Sequence, residues 1–171
     1  MSEVIKSEQN VFQENREVNM GSWNHSMTQS RVVELLSHDE RFLVPIELSL
    51  DVSQIDLSQF GLKAKEELIP DVCLYPKDEP RPKRGEDIQK MSKMPLLAIE
   101  ILSTRQTIDD ILAKFKAFFA LGIKSCWLIV PVNESVTVYS APYQFKTFGT
   151  ETIELIDDII DIRLPIQKLF R

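Results

Sequence analysis

The chain contains few cysteines and no long apolar run, and it carries no excess of basic residues. Its two cysteines, Cys73 and Cys126, lie among apolar residues and fit no zinc spacing, so we expect two buried, reduced thiols. No apolar run approaches the length of a membrane span, and the polar, charged stretch up to Arg16 contains no apolar signal region. These absences predict a cytoplasmic protein that does not enter a membrane.

The overall charge also limits the functions that can be expected. The formal net charge is −6 over 171 residues, which argues against general electrostatic attraction of nucleic acid. A small basic region could still act locally, and a bound metal ion could supply positive charge at a catalytic site. The length and the apolar fraction of 43% favour a single domain over residues 1–171, with poor order expected within residues 1–20.

The spacing of apolar residues predicts a mixed β-sheet flanked by helices, an α+β fold, because strands and helices do not alternate regularly. The predicted helices cover 26–37, 107–122 and a terminal turn at 165–170, and the predicted strands cover 42–50, 68–75, 96–102, 125–130 and 136–139. The segments 145–148 and 152–156 are further strand candidates that would continue this sheet, and a short strand is a candidate near Val11-Phe12 or Val18. Residues 76–95 are rich in proline and charge, which predicts either a solvated hairpin loop or a phosphate-contacting arm.

Three acidic residues occupy predicted strands, where charge is unusual. Asp71 opens the strand 68–75 after a proline, Glu100 interrupts the apolar run 96–102, and Glu47 lies on the polar face of the strand 42–50. Carboxylates are rarely buried unless they are paired or bind metal. Because Mg²⁺ prefers oxygen ligands and needs only one or two carboxylates, Asp71 and Glu100 form a candidate metal site, with Glu47 as a possible third ligand.

The motifs around these acids occur in a defined order. They are Pro70-Asp71-Val72, Glu100-Ile101-Leu102-Ser103, Asp110 to Lys114, Gly122-Ile123 and Trp127-Leu128-Ile129-Val130-Pro131. This set resembles the PD-(D/E)XK nuclease superfamily and, more closely, the Uma-type family of restriction endonuclease-like proteins. The resemblance implies Mg²⁺- or Mn²⁺-dependent hydrolysis of DNA by a homodimer. Asp71 and Glu100 would be metal ligands, and Lys114 would position water or stabilise the phosphate.

Two departures from the family pattern leave alternatives open. First, Leu102 occupies the position where the superfamily has lysine. Second, the Uma-type family often carries Tyr-Glu-Leu-x-Asp-Gly-Glu and then a histidine before the first helix. Glu17 and His25 fit this pattern only loosely, because Phe12 occupies the position of its upstream acid and Arg16 that of its glycine. A nuclease fold without efficient catalysis, acting as a binding module, is therefore the alternative function, and a purely structural dimer that uses the Trp127 hairpin is a third.

Some site residues also have structural alternatives. Lys114 could instead form an ion pair with buried Glu100, or a surface pair with Asp110 one helical turn earlier. His25 is isolated in the sequence, so we expect it to be a surface or hydrogen-bonded residue. Ser103 directly follows a predicted strand, so we expect a turn or cap residue there.

Overall fold

The computed structural model describes residues 21–64 and 66–171. The strand expected near Val11-Phe12 or Val18, and Glu17, lie outside the described residues. The described chain contains helices α1 (Trp23–Ser37), α2 (Ile108–Ala120) and α3 (Gln167–Phe170), and 3-10 turns at Leu57–Phe60 and Pro131–Asn133. All three predicted helices are therefore confirmed, although α1 begins three residues before the predicted start.

Six strands form one mixed sheet, as the sequence predicts. The described residues contain ten strands, of which six belong to this sheet. The ten strands are β1 (Phe42–Leu43), β2 (Leu50–Asp51), β3 (Glu67–Leu68), β4 (Val72–Pro76), β5 (Leu97–Ile101), β6 (Ser125–Val130), β7 (Ser135–Ala141), β8 (Gln144–Phe148), β9 (Glu154–Asp157) and β10 (Ile162–Pro165). The order in the main sheet is β1-β4-β5-β6-β7-β8. The β5–β6 pair is parallel and the other neighbours are antiparallel, which confirms a mixed sheet.

The predicted continuous strands 42–50 and 68–75 are wrong. In the segment 42–50, Pro45 interrupts the strand, and Glu47 adopts a left-handed backbone with φ of 49°. The two ends of this segment therefore pair with different strands. Strand β1 pairs with β4, whereas β2 pairs with β3 in a separate two-stranded sheet. Asp71 consequently lies directly before β4 and not within a longer strand.

The prediction that 152–156 continues the main sheet is also wrong. Strand β9 pairs with β10 in a second two-stranded sheet. Buried Asp157, at the end of β9, attaches this pair to β6: its Oδ2 accepts hydrogen bonds from Trp127 Nε1 at 2.7 Å and Ser125 Oγ at 2.5 Å. Because Trp127 is fully buried, its side chain cannot form part of a dimer surface.

The main sheet has an apolar core on each face. On one face, Leu97, Ile99 and Ile101 of β5 pack in a core that includes residues of α1, α3 and β9–β10. On the other face, Ala98 packs in a core that includes residues of α2, β2 and β3. Since side chains alternate along a strand, Glu100 lies on the same face as Ala98 and therefore faces α2.

Two further expectations concern thiols and membrane spans. Cys73 and Cys126 are free and buried, as expected, and burial raises the pKa of the Cys73 thiol to about 12. Within the described residues, no helix is both long and apolar enough to cross a membrane.

The segment 77–95 forms no helix or strand, but Met91 bridges to Leu50 of β2, so this loop is attached to the body of the protein.

Candidate active site

Glu100 and Lys114 form an ion pair between the central strand β5 and helix α2. Glu100 is only 1% exposed, and Lys114 Nζ donates to its Oε1 at 3.1 Å. Buried Ile111 and Phe115 hold α2 against the sheet, which places Lys114 beside Glu100. The surface pair of Lys114 with Asp110 is absent among the described residues; Asp110 instead completes a capping box at the start of α2.

Asp71 is fixed by groups from two different elements. Its Oδ2 accepts a hydrogen bond from the Ile101 N–H of β5 at 2.7 Å and lies 3.2 Å from His25 Nε2 of α1. Gln29, one turn after His25, donates from Nε2 to the Asp71 carbonyl oxygen at 2.9 Å. Helix α1 thus positions both the side chain and the backbone of Asp71. His25 is hydrogen-bonded, as expected, but it lies at the candidate site and not apart from it.

These side chains line one cavity of about 450 Å³. Its lining includes Gly21, His25, Ser26, Gln29, Glu47, Ile69, Asp71, Glu100, Ser103, Gln106 and Lys114. All four residues proposed from the sequence, Asp71, Glu100, Lys114 and Glu47, are therefore brought together. Glu47 reaches the cavity from the bend between β1 and β2, where its N–H donates to the Asp71 carbonyl oxygen at 3.2 Å, and not from a strand.

Burial and charge alter the acid–base behaviour of two side chains. The pKa of Glu100 is raised to about 7: burial is the main cause, the ammonium of Lys114 opposes the shift, and the nearby charge of Asp71 adds to it. The hydrogen bond to Asp71 raises the pKa of His25 above its ordinary value, and the surrounding negative charges of Glu100 and Glu47 act in the same direction. The carboxylates around His25 therefore favour its protonated form.

The donor set fits a cation that keeps most of its water. Asp71 and Glu100 supply carboxylate oxygens to the same cavity, and Mg²⁺ needs only one or two protein carboxylates. Across residues 21–64 and 66–171, no group of three His, Cys, Asp or Glu side chains converges as a metal site. The site therefore suits a partly hydrated Mg²⁺ or Mn²⁺ better than a fully protein-bound metal such as structural zinc.

Sequence reasoning missed part of the cavity wall. Gln106 Oε1 accepts hydrogen bonds from the N–H and the hydroxyl of Ser103, at 3.4 and 3.2 Å, and both residues line the cavity. Ser103 was expected only as a turn or cap residue, and no pattern pointed to Gln106 or Gln29. For His25, the only signal was the histidine that the Uma-type pattern carries before its first helix.

The mixed sheet and its flanking helices define a restriction endonuclease-like fold. The chain belongs to the Uma2 family, described as "Putative restriction endonuclease", whose model matches residues 14–167. Its structure is similar to that of a "putative nuclease belonging to DUF820" from Anabaena variabilis ATCC 29413. That similarity has a TM-score of 0.68 at 23% identity and covers 88% of this chain and 82% of the other. Among curated proteins, no relative matches this chain.

Proposed function

We propose that this protein is a cytoplasmic, Mg²⁺- or Mn²⁺-dependent endonuclease that hydrolyses phosphodiester bonds of DNA. The observation that carries this proposal is the convergence of Asp71, Glu100 and Lys114 on one cavity, with the Lys114 ammonium 3.1 Å from Glu100 Oε1. Membership of the Uma2 family and the nuclease-like fold support a nuclease function in general. The cation, the substrate and the roles of the residues are our proposal.

Asp71 and Glu100 are the residues that would hold the cation, with Glu47 as a third candidate at the cavity wall. When bound, a divalent cation neutralises phosphate charge and makes a coordinated water more acidic. The Ile101 N–H and His25 keep Asp71 Oδ2 in place, so the carboxylate is oriented before substrate arrives.

Lys114 acts at the same cavity as a donor of positive charge. Its ammonium lies beside Glu100 and, with three N–H donors, it can also donate a hydrogen bond to a phosphate oxygen that gains negative charge. A lysine on α2 thereby fills the role for which the superfamily pattern has lysine at the position of Leu102.

The test is cleavage of supercoiled plasmid DNA in millimolar Mg²⁺ or Mn²⁺. We expect Glu100→Gln and Asp71→Asn each to lower the cleavage rate by at least about 100-fold, because each removes a charged cation ligand. Lys114→Gln should cost a similar factor through loss of charge stabilisation. Exposed Glu151→Gln, purified in parallel, controls for contaminating nuclease and should cleave like the wild type. Equal cleavage rates of Glu100→Gln and wild type would contradict the proposed active site.

One observation favours a second candidate, a nuclease fold that binds nucleic acid without efficient catalysis. Leu102 occupies the position where the superfamily pattern has lysine. Calorimetric titration with Mn²⁺ separates the two candidates. Heat of binding at millimolar metal that disappears in Asp71→Asn supports the enzyme, and the absence of binding by wild type supports the binding module.

We further propose that the protein forms a homodimer. Strand β8 is the outer strand of the main sheet, so one of its edges has no neighbouring strand within that sheet. Tyr143, which directly precedes the strand, and Phe145, its second residue, are 81% and 61% exposed. Large exposed aromatic side chains on an open sheet edge favour association with another chain.

A further inference from the structure

A second cavity adjoins the candidate active site and shares two wall residues with it. This cavity, of about 610 Å³, is lined by Ala64, Glu66, Glu67, Leu68, Ile69, Lys90 and Lys114, and both Ile69 and Lys114 also line the site cavity. We call the two joined cavities the groove. Asp71 and Glu100 line the first cavity, Lys114 lines both, and Lys90, in the loop after β4, lines the second.

Lys90 has an ordered backbone and a loosely held ammonium. The neighbouring Met91 donates its N–H to the Ser49 carbonyl at 2.8 Å and accepts from the Asp51 N–H at 2.9 Å, which fixes the loop beside β2. Lys90 Nζ lies 3.8 Å from Glu66 Oε2, and these side chains are 41% and 69% exposed. An exposed pair of this kind contributes little to stability, so Lys90 can exchange Glu66 for another anion at little cost.

The groove is lined by both basic and apolar side chains, the two kinds of group that contact a polynucleotide strand. Lys114 stands at the junction of the two cavities, Ile69 beside it exposes 42% of its surface, and Lys90 lies in the second cavity. A nucleic-acid strand alternates charged phosphates with largely apolar sugars and base faces. Among the basic residues of the loop 76–95, Lys90 is the one that lines either cavity, which distinguishes it from exposed Lys83 and from Lys93, paired with Glu79.

We propose that the groove binds the sugar-phosphate backbone of a polynucleotide strand next to the scissile bond, with Lys90 contacting a flanking phosphate. This inference rests on the proposed function and adds a binding subsite to it. Glu66 competes with that phosphate for Lys90 and so lowers the affinity of the groove. The basic loop residues outside the groove take no part in the contact.

The experiment measures binding of a fluorescent oligonucleotide of about 20 nucleotides by anisotropy, as a function of salt, in millimolar Ca²⁺. Single-stranded and duplex forms of one sequence are compared. Loss of one phosphate contact should reduce the slope of log affinity against log salt by about 0.7 for a single strand and about 0.9 for a duplex. Raising salt from about 50 to about 200 mM should therefore weaken wild-type binding about threefold more than it weakens Lys90→Gln.

Two matched variants control for simple changes of net charge. Lys83→Gln removes the same charge from the same loop outside the groove and should bind like the wild type. Glu66→Gln frees Lys90 and should raise affinity, whereas Glu86→Gln, elsewhere in the loop, should not. Equal salt slopes for Lys90→Gln and Lys83→Gln, on both forms of the oligonucleotide, would contradict the proposed contact between Lys90 and a phosphate.

The outcomes also separate this inference from the proposed function. If the wild type cleaves plasmid DNA and Lys90→Gln binds the oligonucleotide as the wild type does, the endonuclease proposal stands and the groove proposal is rejected. Binding that depends on Lys90, together with no cleavage by wild type in Mg²⁺ or Mn²⁺, retains the groove and rejects the endonuclease. Melting curves of all variants establish that each one is folded at the temperature of the measurement.

Discussion

At the scale of single residues, the central feature is a carboxylate inside an otherwise apolar strand. Glu100 is 1% exposed, and its one ion-pair partner among the described residues is Lys114. Removing a carboxylate from water costs free energy that a single ammonium offsets only in part, and the pKa of Glu100 rises to about 7 as a result. A bound cation would favour the ionised form of Glu100, which agrees with our proposal that this carboxylate is a metal ligand.

This burial predicts how stability depends on pH in the absence of metal. The pKa of Glu100 is about 7 in the fold against an ordinary 4.5, so between these values the folded chain holds more protons than the unfolded chain. The contribution of Glu100 to stability is therefore present at low pH and is lost as pH rises through 7, by up to about 3 kcal/mol.

Glu100→Gln removes this titration. Urea unfolding in EDTA at about pH 5 and about pH 8 should show the variant gaining stability relative to wild type at the higher pH. Exposed Glu151→Gln should keep the wild-type pH dependence. Parallel curves of unfolding free energy against pH for Glu100→Gln and wild type would contradict the expected burial of an ionisable group.

A second prediction concerns His25. The pKa of His25 is raised chiefly by its hydrogen bond to Asp71, so its stabilising contribution is full below about pH 6.5 and is lost as pH rises through the raised pKa. His25→Ala should therefore lower the unfolding free energy by about 2 kcal/mol near pH 5 and by less near pH 8. His38→Ala, which removes an exposed histidine, is the matched control for chemical denaturation. If His25→Ala lowers the unfolding free energy equally at both pH values, the side chains of His25 and Asp71 do not interact in solution.

At the scale of elements, two helices deliver side chains to one end of the sheet from opposite faces. Helix α1 brings His25 and Gln29 to Asp71, and α2 brings Lys114 to Glu100. The start of α2 is set by Thr107, whose hydroxyl accepts the Asp110 N–H at 3.2 Å while the Asp110 carboxylate accepts the Thr107 N–H at 3.1 Å. The position of Lys114 therefore depends on a cap two turns away from it.

Loss of that cap should affect the whole helix. Thr107→Ala should lower the unfolding free energy by about 1 kcal/mol, because the Asp110 N–H loses its side-chain acceptor. Thr104→Ala, at a neighbouring exposed position outside the helix, should change stability by far less. Thermal or urea unfolding followed by circular dichroism measures both variants, and an equal effect of the two would exclude a capping role for Thr107.

At the scale of the whole molecule, the homodimer proposal can be tested on the outer strand β8. Phe145→Glu places a charge among exposed aromatic side chains and should shift the sedimenting mass from that of two chains toward that of one. Val132→Glu, at a position that is 85% exposed elsewhere on the surface, should leave the mass unchanged. A wild type that sediments as one chain at all accessible concentrations would refute the pairing.

The sequence predicted the fold class and most strands of the main sheet, and it identified Asp71, Glu100 and Lys114 as site candidates. The strand predictions were wrong where backbone geometry interrupted an alternating pattern of apolar and polar residues. The run 42–50 alternates like a strand, but Pro45 and the left-handed Glu47 divide it between two sheets. Strand β9 was placed in the wrong sheet because apolar alternation records burial and does not identify the partner strand.

The sequence by itself determined which chemical groups the protein has and which way neighbouring side chains point along each element. A buried strand with one carboxylate and a capped helix with one lysine can both be read locally, because each depends on residues a few positions apart. Only the tertiary structure decided that His25 and Gln29 reach Asp71 across more than 40 residues, and that Lys90 joins the wall beside Lys114. Such contacts arise when packed faces bring distant segments together, and no local periodicity specifies them.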